Sequence, residues 1–104
     1  MAEIPKKVEN LPKVVRQHAH DGTYNYTAHA EQRMRERNIV DAEVKGVLEF
    51  ARWEKSKDTY DEEHECWKYA VRGETVDGRN LRLIVVELDP DLLIITTIDL
   101  DADD

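Results

Sequence analysis

Two stretches near the C-terminus constrain the fold most: NLRLIVVEL at 80–88 and LLIITTIDL at 92–100, separated only by Asp89-Pro90-Asp91. Both are almost wholly apolar and β-branched, as expected of central strands buried on both faces. A turn this short joins them as antiparallel neighbours. Upstream, RWEKSKDTY (52–60) and ECWKYAVRG (65–73) alternate at period two, and Asp77-Gly78 is a hairpin signal. The second half of the chain therefore reads as an antiparallel meander of roughly four strands.

The first half has helical spacing. Leu11 to His20 fits a short helix with Pro12 in its first turn and Asp21-Gly22 at its end. TYNYT (23–27) alternates aromatic and polar residues, which suits a short edge strand. Thr27 is a natural N-cap for a helix to Arg37, with Asn38 as terminator. Asp41 is placed to cap a further helix whose Val44, Val47, Leu48 and Ala51 share one face. The expectation is an α+β fold: two or three N-terminal helices packed on an antiparallel sheet. Residues 1–10 read as a flexible N-terminal arm, 11–100 as a single domain and 101–104 as an acidic tail.

The chain of 104 residues has room for one core, and no apolar run approaches the length of a membrane span. The N-terminus lacks the apolar stretch of a signal peptide, so the expected address is the cytoplasm. A single cysteine, Cys66, agrees with a reducing compartment. The net charge of −8 opposes long-range attraction to a polyanion. That charge is unevenly placed. Asp58, Asp61, Glu62, Glu63 and Glu65 cluster mid-chain, and Asp99, Asp101, Asp103 and Asp104 crowd the end.

Against this background TAHAEQRMRERNI (27–39) stands out. His29, Arg33 and Arg37 fall at successive i, i+4 steps and share one helix face, beside an apolar face of Ala30 and Met34. Metal-free RNA cleavage needs such groups: a base of near-neutral pKa for the ribose 2′-OH, cations for the phosphate, and an acid for the leaving 5′-oxygen. The same stripe equally suits solvated arginines paired with acids such as Glu36.

A second set lies in the strands. Lys68, Ala70 and Arg72 point to one side of their strand, and Trp67, Tyr69 and Val71 to the other. The set also includes Lys55, Lys57, Tyr60, His64 and Tyr69; Lys68 and Arg72 would line a cleft with the helix stripe, or would balance the acidic loop 58–65. His18, His20, His29 and His64 lack the companions that a recognisable metal site requires, and no metal or cofactor is expected. Cys66, beside Glu65, is a poor nucleophile because neighbouring acids raise a thiol pKa. Trp53 and Trp67 read as packing residues.

The segment HAEQRMRERNI resembles an uncharacterised bacterial domain family with a His-Ala-x-x-Arg-Met-x-x-Arg-x-Ile pattern, grouped with RelE-like toxins. WEKSKDTYDEEHECWKYAVRGETVDGRNLRLIVVELDPDLLIITTIDL is similar to the C-terminal half of the MqsR-like mRNA interferases of type II toxin–antitoxin pairs. The resemblance implies a RelE-like microbial ribonuclease fold, metal-independent cleavage of mRNA, on or off the ribosome, and a cognate antitoxin, in some cases with a zinc-binding domain. Lys55 falls where the MqsR-like proteins carry a lysine that acts in cleavage, and Lys68 where they carry glutamine. A functional tyrosine corresponds to Leu81 and a late lysine to about Ile98. The resemblance therefore leaves catalysis to His29, Arg33, Arg37, Lys55 and Lys68, with RNA contacts from Lys57, Tyr60 and Arg72. The alternative is a RelE-like fold that has lost catalysis and serves as a protein-binding module.

Overall fold

The computed structural model describes residues 3–102; Asp103 and Asp104 of the acidic tail lie outside the described residues. The chain is α+β. Helix α1 spans Leu11–Asp21, strand β1 Tyr24–Tyr26, α2 Ala28–Arg37 and α3 Asp41–Glu49. Strands β2 (Arg52–Trp53), β3 (Thr59–Asp61), β4 (Cys66–Glu74), β5 (Asn80–Glu87) and β6 (Leu92–Asp99) follow.

The helix boundaries follow their caps. Asn10 accepts from the Lys13 amide, Pro12 sits in the first turn, and Gly22 ends α1 at a φ of 71°. Thr27 Oγ1 accepts from the Ala30 amide, and Asn38 closes α2 at a φ of 53°. Asp41 does not cap α3. It is the first residue of that helix, and its carboxylate is occupied by the Tyr24 and Tyr26 hydroxyls. Glu43 reaches back to the Val40 amide instead, at 3.1 Å.

The sheet is mixed, not antiparallel. Its order is β1-β6-β5-β4-β2, with β3 also on β4. β1 lies parallel to β6, Tyr24 opposite Leu92. The expected strand over 52–60 is broken: β2 and β3 pair with β4 in succession, and Lys55–Lys57 form a 3-10 turn between them. Asp58 seals this break. It accepts from Trp53 Nε1 and from the Ala70 amide, both at 2.9 Å, and its side chain is 0% exposed.

All three helices contribute to one core against one face of the sheet. Leu11, Val15 and Ala19 of α1, Ala30 and Met34 of α2, and Val44, Val47 and Leu48 of α3 join Tyr69, Val71, Leu81, Leu83, Val85, Leu92 and Ile94. Helix α3 comes so close to β4 that a Cβ at Gly73 would lie 3.0 Å from Val47 Cγ1. The sheet is continuously buried on that face, whereas on the other Ala70 and Val86 are its buried residues. Arg82, Ile84, Leu93, Ile95, Thr96 and Ile98 on that other face are half-buried. This open face also carries Lys68, Ala70 and Arg72 of β4, as the alternation had indicated.

Residues 3–10 have no regular structure, yet they run against the sheet. The Pro5 carbonyl accepts from Trp67 Nε1 at 2.7 Å, Lys7 pairs with Asp58 at 3.0 Å, and the Val8 amide donates to the Tyr69 hydroxyl.

Candidate active site

A groove of about 620 Å³ lies at one end of the open face. Its floor is Val86, Leu88, Leu93 and Ile95, and its polar rim is Thr27, His29, Asp61, His64, Cys66 and Lys68. Three separate parts of the chain build the rim. Thr27 and His29 come from the start of α2, Asp61 and His64 from the end of β3 and the turn after it, and Cys66 and Lys68 from β4.

A register shift shapes the floor. Ile84 of β5 opposes Thr96 of β6, but Val85 opposes Ile94, which leaves Ile95 as a bulge. The Thr27 hydroxyl donates to the freed Ile95 carbonyl at 3.1 Å, and the Thr27 amide donates to Ile94 O at 3.0 Å. The bulge thereby anchors the N-terminus of α2, and with it His29, at the groove.

On the opposite rim Asp61 organises two cations. Its Oδ2 lies 2.8 Å from His64 Nδ1 and 3.3 Å from Lys68 Nζ, and its Oδ1 accepts from the His64 amide. The hydrogen bond from His64 holds the Asp61 carboxyl down at about 2. In return the Asp61 hydrogen bond and charge raise the His64 pKa above its usual value. The Nδ1 position is thus occupied and Nε2 is left for chemistry, on a side chain that is 69% exposed. Burial, followed by the Asp61 charge, pushes the Cys66 thiol up, so it remains protonated near neutrality.

His29 and Lys68 are the two expected catalytic residues that line this groove together. Arg33 and Arg37 follow His29 along α2, half-buried, with Arg33 3.7 Å from Glu36. Lys55 and Lys57 are exposed on the 3-10 turn, Lys55 Nζ standing 4.5 Å from the centre of the Trp53 ring. Tyr60 pairs with Trp67 across the strands, on the face opposite Lys68, and packs edge-on to that indole. Arg72 shares the open face with Lys68, two alternations along β4. Leu81 is 0% exposed in the core, on the helix-covered face, so a polar side chain there would not reach the groove. Ile98 does stand on the open face, opposite Arg82.

Asp61 was not singled out from sequence, and His64 stood among the strand-region candidates without a catalytic role. The i, i+3 spacing of Asp61 and His64 is the available signal, since a turn brings such a pair together. His18, by contrast, is engaged elsewhere, between Thr23 and Glu87. Among the described residues no three His, Cys, Asp or Glu side chains gather as metal ligands. Nor, among them, is any helix long and apolar enough to cross a membrane.

Residues 26–99 match the family described as "Domain of unknown function (DUF4258)". The chain belongs to the DUF4258 family. No curated protein and no solved structure matches it. The DUF4258 region runs from the end of β1 to the end of β6 and contains every residue of the groove rim. Helix α1 and the N-terminal segment lie outside that region and complete the packing on the helix-covered side.

Proposed function

We propose that this DUF4258 protein is the toxin of a type II toxin–antitoxin pair, with a RelE-like ribonuclease fold, and cleaves mRNA in the cytoplasm by metal-independent 2′-OH attack. The observation that carries the reading is the convergence of His29, His64 and Lys68, from three parts of the chain, on one groove of the open sheet face. His29 takes the 2′-OH proton as that oxygen attacks the adjacent phosphorus. The bond to the 5′-oxygen breaks, and His64, whose protonated form Asp61 favours, gives that oxygen its proton. Lys68 stabilises the charge on the phosphoryl oxygens. The products are a 2′,3′-cyclic phosphate and a free 5′-hydroxyl.

Brief induction in a bacterial host, with new RNA 5′ ends mapped across the transcriptome, tests this reading. New 5′-hydroxyl ends at a recurring short sequence are expected, reduced about 100-fold or more in His29→Ala and His64→Ala. Absence of new ends, or equal cutting by both variants, defeats it. The apolar groove floor favours a second reading, a binding module without catalysis that seats a protein partner. A stable protein complex with no RNA turnover would decide for that one.

A further inference from the structure

Outside the groove, the open face carries an arrangement that internal stability does not explain. Arg52 of β2 stands opposite Arg72 of β4, and Arg72 stands opposite Arg82 of β5. Directly opposed residues on antiparallel strands have Cα atoms about 5 Å apart and side chains on one face, and like charges so placed are destabilising. The chain has 23 acidic residues available to interleave. At this ladder Glu54 alone is seen to bind: its carboxylate grips Arg82 Nε at 2.7 Å and Nη2 at 3.2 Å. Among the described residues Arg72 Nε is buried without a hydrogen-bond partner. Three guanidinium groups against one carboxylate leave a local excess of positive charge in a chain of net charge −8. An external anion is the missing counter-charge.

The position of the ladder indicates which anion. Lys68 and Arg72 lie on the same strand and the same face, about 13 Å apart at the rise of an extended chain. Between the two ends lie Ala70, Ile84 and Thr96, small or apolar residues that oppose one another across β4, β5 and β6. Cation, apolar floor and cation in sequence suit an extended polymer of phosphates whose sugars and bases lie over the floor. Arginine forks match phosphate oxygens in geometry as well as charge.

We propose that Arg52, Arg72 and Arg82 form a phosphate subsite for single-stranded RNA, a few nucleotides from the scissile position. The subsite rests on the ribonuclease reading for the identity of its ligand. Its test does not depend on cleavage.

The probe is a mixed-sequence 2′-O-methyl RNA of about eight nucleotides, which lacks the attacking hydroxyl. Its binding is followed by fluorescence anisotropy over a salt series. The wild-type protein is expected to bind, with affinity falling as salt rises. Arg72→Ala should weaken binding about tenfold and reduce the salt slope by about 0.7, the single-strand value for one phosphate contact. Arg72→Lys should restore the slope but only part of the affinity, because the fork is lost. Unchanged affinity and slope in both Arg72→Ala and Arg52→Ala would overturn the subsite, as would failure of the wild type to bind the probe. RNA cleavage without ladder-dependent binding would defeat the subsite and leave the ribonuclease standing. Ladder-dependent binding without cleavage would do the reverse.

Discussion

His64 shows how one neighbour sets the role of a residue. Its folded pKa is raised by Asp61, so the imidazolium is favoured in the native state. The pair therefore adds stability below the unfolded pKa near 6.5, and this is lost as pH rises through the higher folded value. Asp61, held at about 2, adds stability above its unfolded value of 3.8, lost as pH falls toward 2. Both effects on stability are small, because the pair lies at the surface. The effect on chemistry is larger. Asp61→Asn should lower the His64 titration midpoint, followed by NMR of its ring protons, toward 6.5, and move the alkaline limb of the cleavage profile to lower pH by the same amount. An unshifted His64 midpoint would remove Asp61 from this role. At this scale the sequence was half-legible. His29 stood out because a helix cap and a regular stripe frame it, whereas His64 gains its meaning from the turn that folds it onto Asp61.

Among the elements, α2 links fold to site most directly. Its N-cap, Thr27, accepts from the Ala30 amide at 3.1 Å and donates to the carbonyl exposed by the β6 bulge. Thr27→Ala should cost about 1–2 kcal/mol. It should also lower cleavage in conditions where the variant remains folded, since His29 loses its anchor. Normal cleavage at a reduced melting temperature would show that the cap is structural only. The end of α1, the caps of α2 and the hairpin at Asp77-Gly78 were readable because each is a local signal. The parallel pairing of β1 with β6 was not, because it joins residues 24–26 to 92–94 and no local pattern encodes it. The break between β2 and β3 was equally hidden. Glu54 to Asp58 are all polar and carry no glycine or proline to mark a break, and the buried bonds of Asp58 to Trp53 and Ala70 turn the chain there. Even in a continuous strand Lys55 and Lys57 would have shared the Trp53 face, opposite that of Lys68 and Arg72.

Across the whole molecule, the acidic balance and the cationic open face are two sides of one distribution, which two arginines bring into contrast. Arg79 is fully engaged: Nη1 donates to the Arg37 carbonyl at 2.8 Å and to Asp99 at 3.2 Å, and Nη2 to the Asn38 carbonyl and Glu43, both at 2.9 Å. It ties the end of α2, the start of α3 and β6 together, with Glu43 and Asp99 nearly buried. Arg79→Ala removes the guanidinium that serves two helix-end carbonyls and two carboxylates, leaving Glu43 only the Val40 amide and Asp99 only the amides of Asp101 and Ala102, at a cost of about 3 kcal/mol. For a domain of this size that is a fall in melting temperature on the order of 10 °C. Arg72 is the opposite case, a guanidinium between two others. Arg72→Ala relieves repulsion from Arg52 and Arg82 and gives up the attraction of the Glu54 carboxylate, which stays bound to Arg82, so its melting temperature should stay close to that of the wild type while RNA binding falls. Thermal denaturation of the two variants side by side measures the contrast. A comparable loss in both would mean that the ladder belongs to the fold's own stability, and that its arginines are not held in reserve for a ligand.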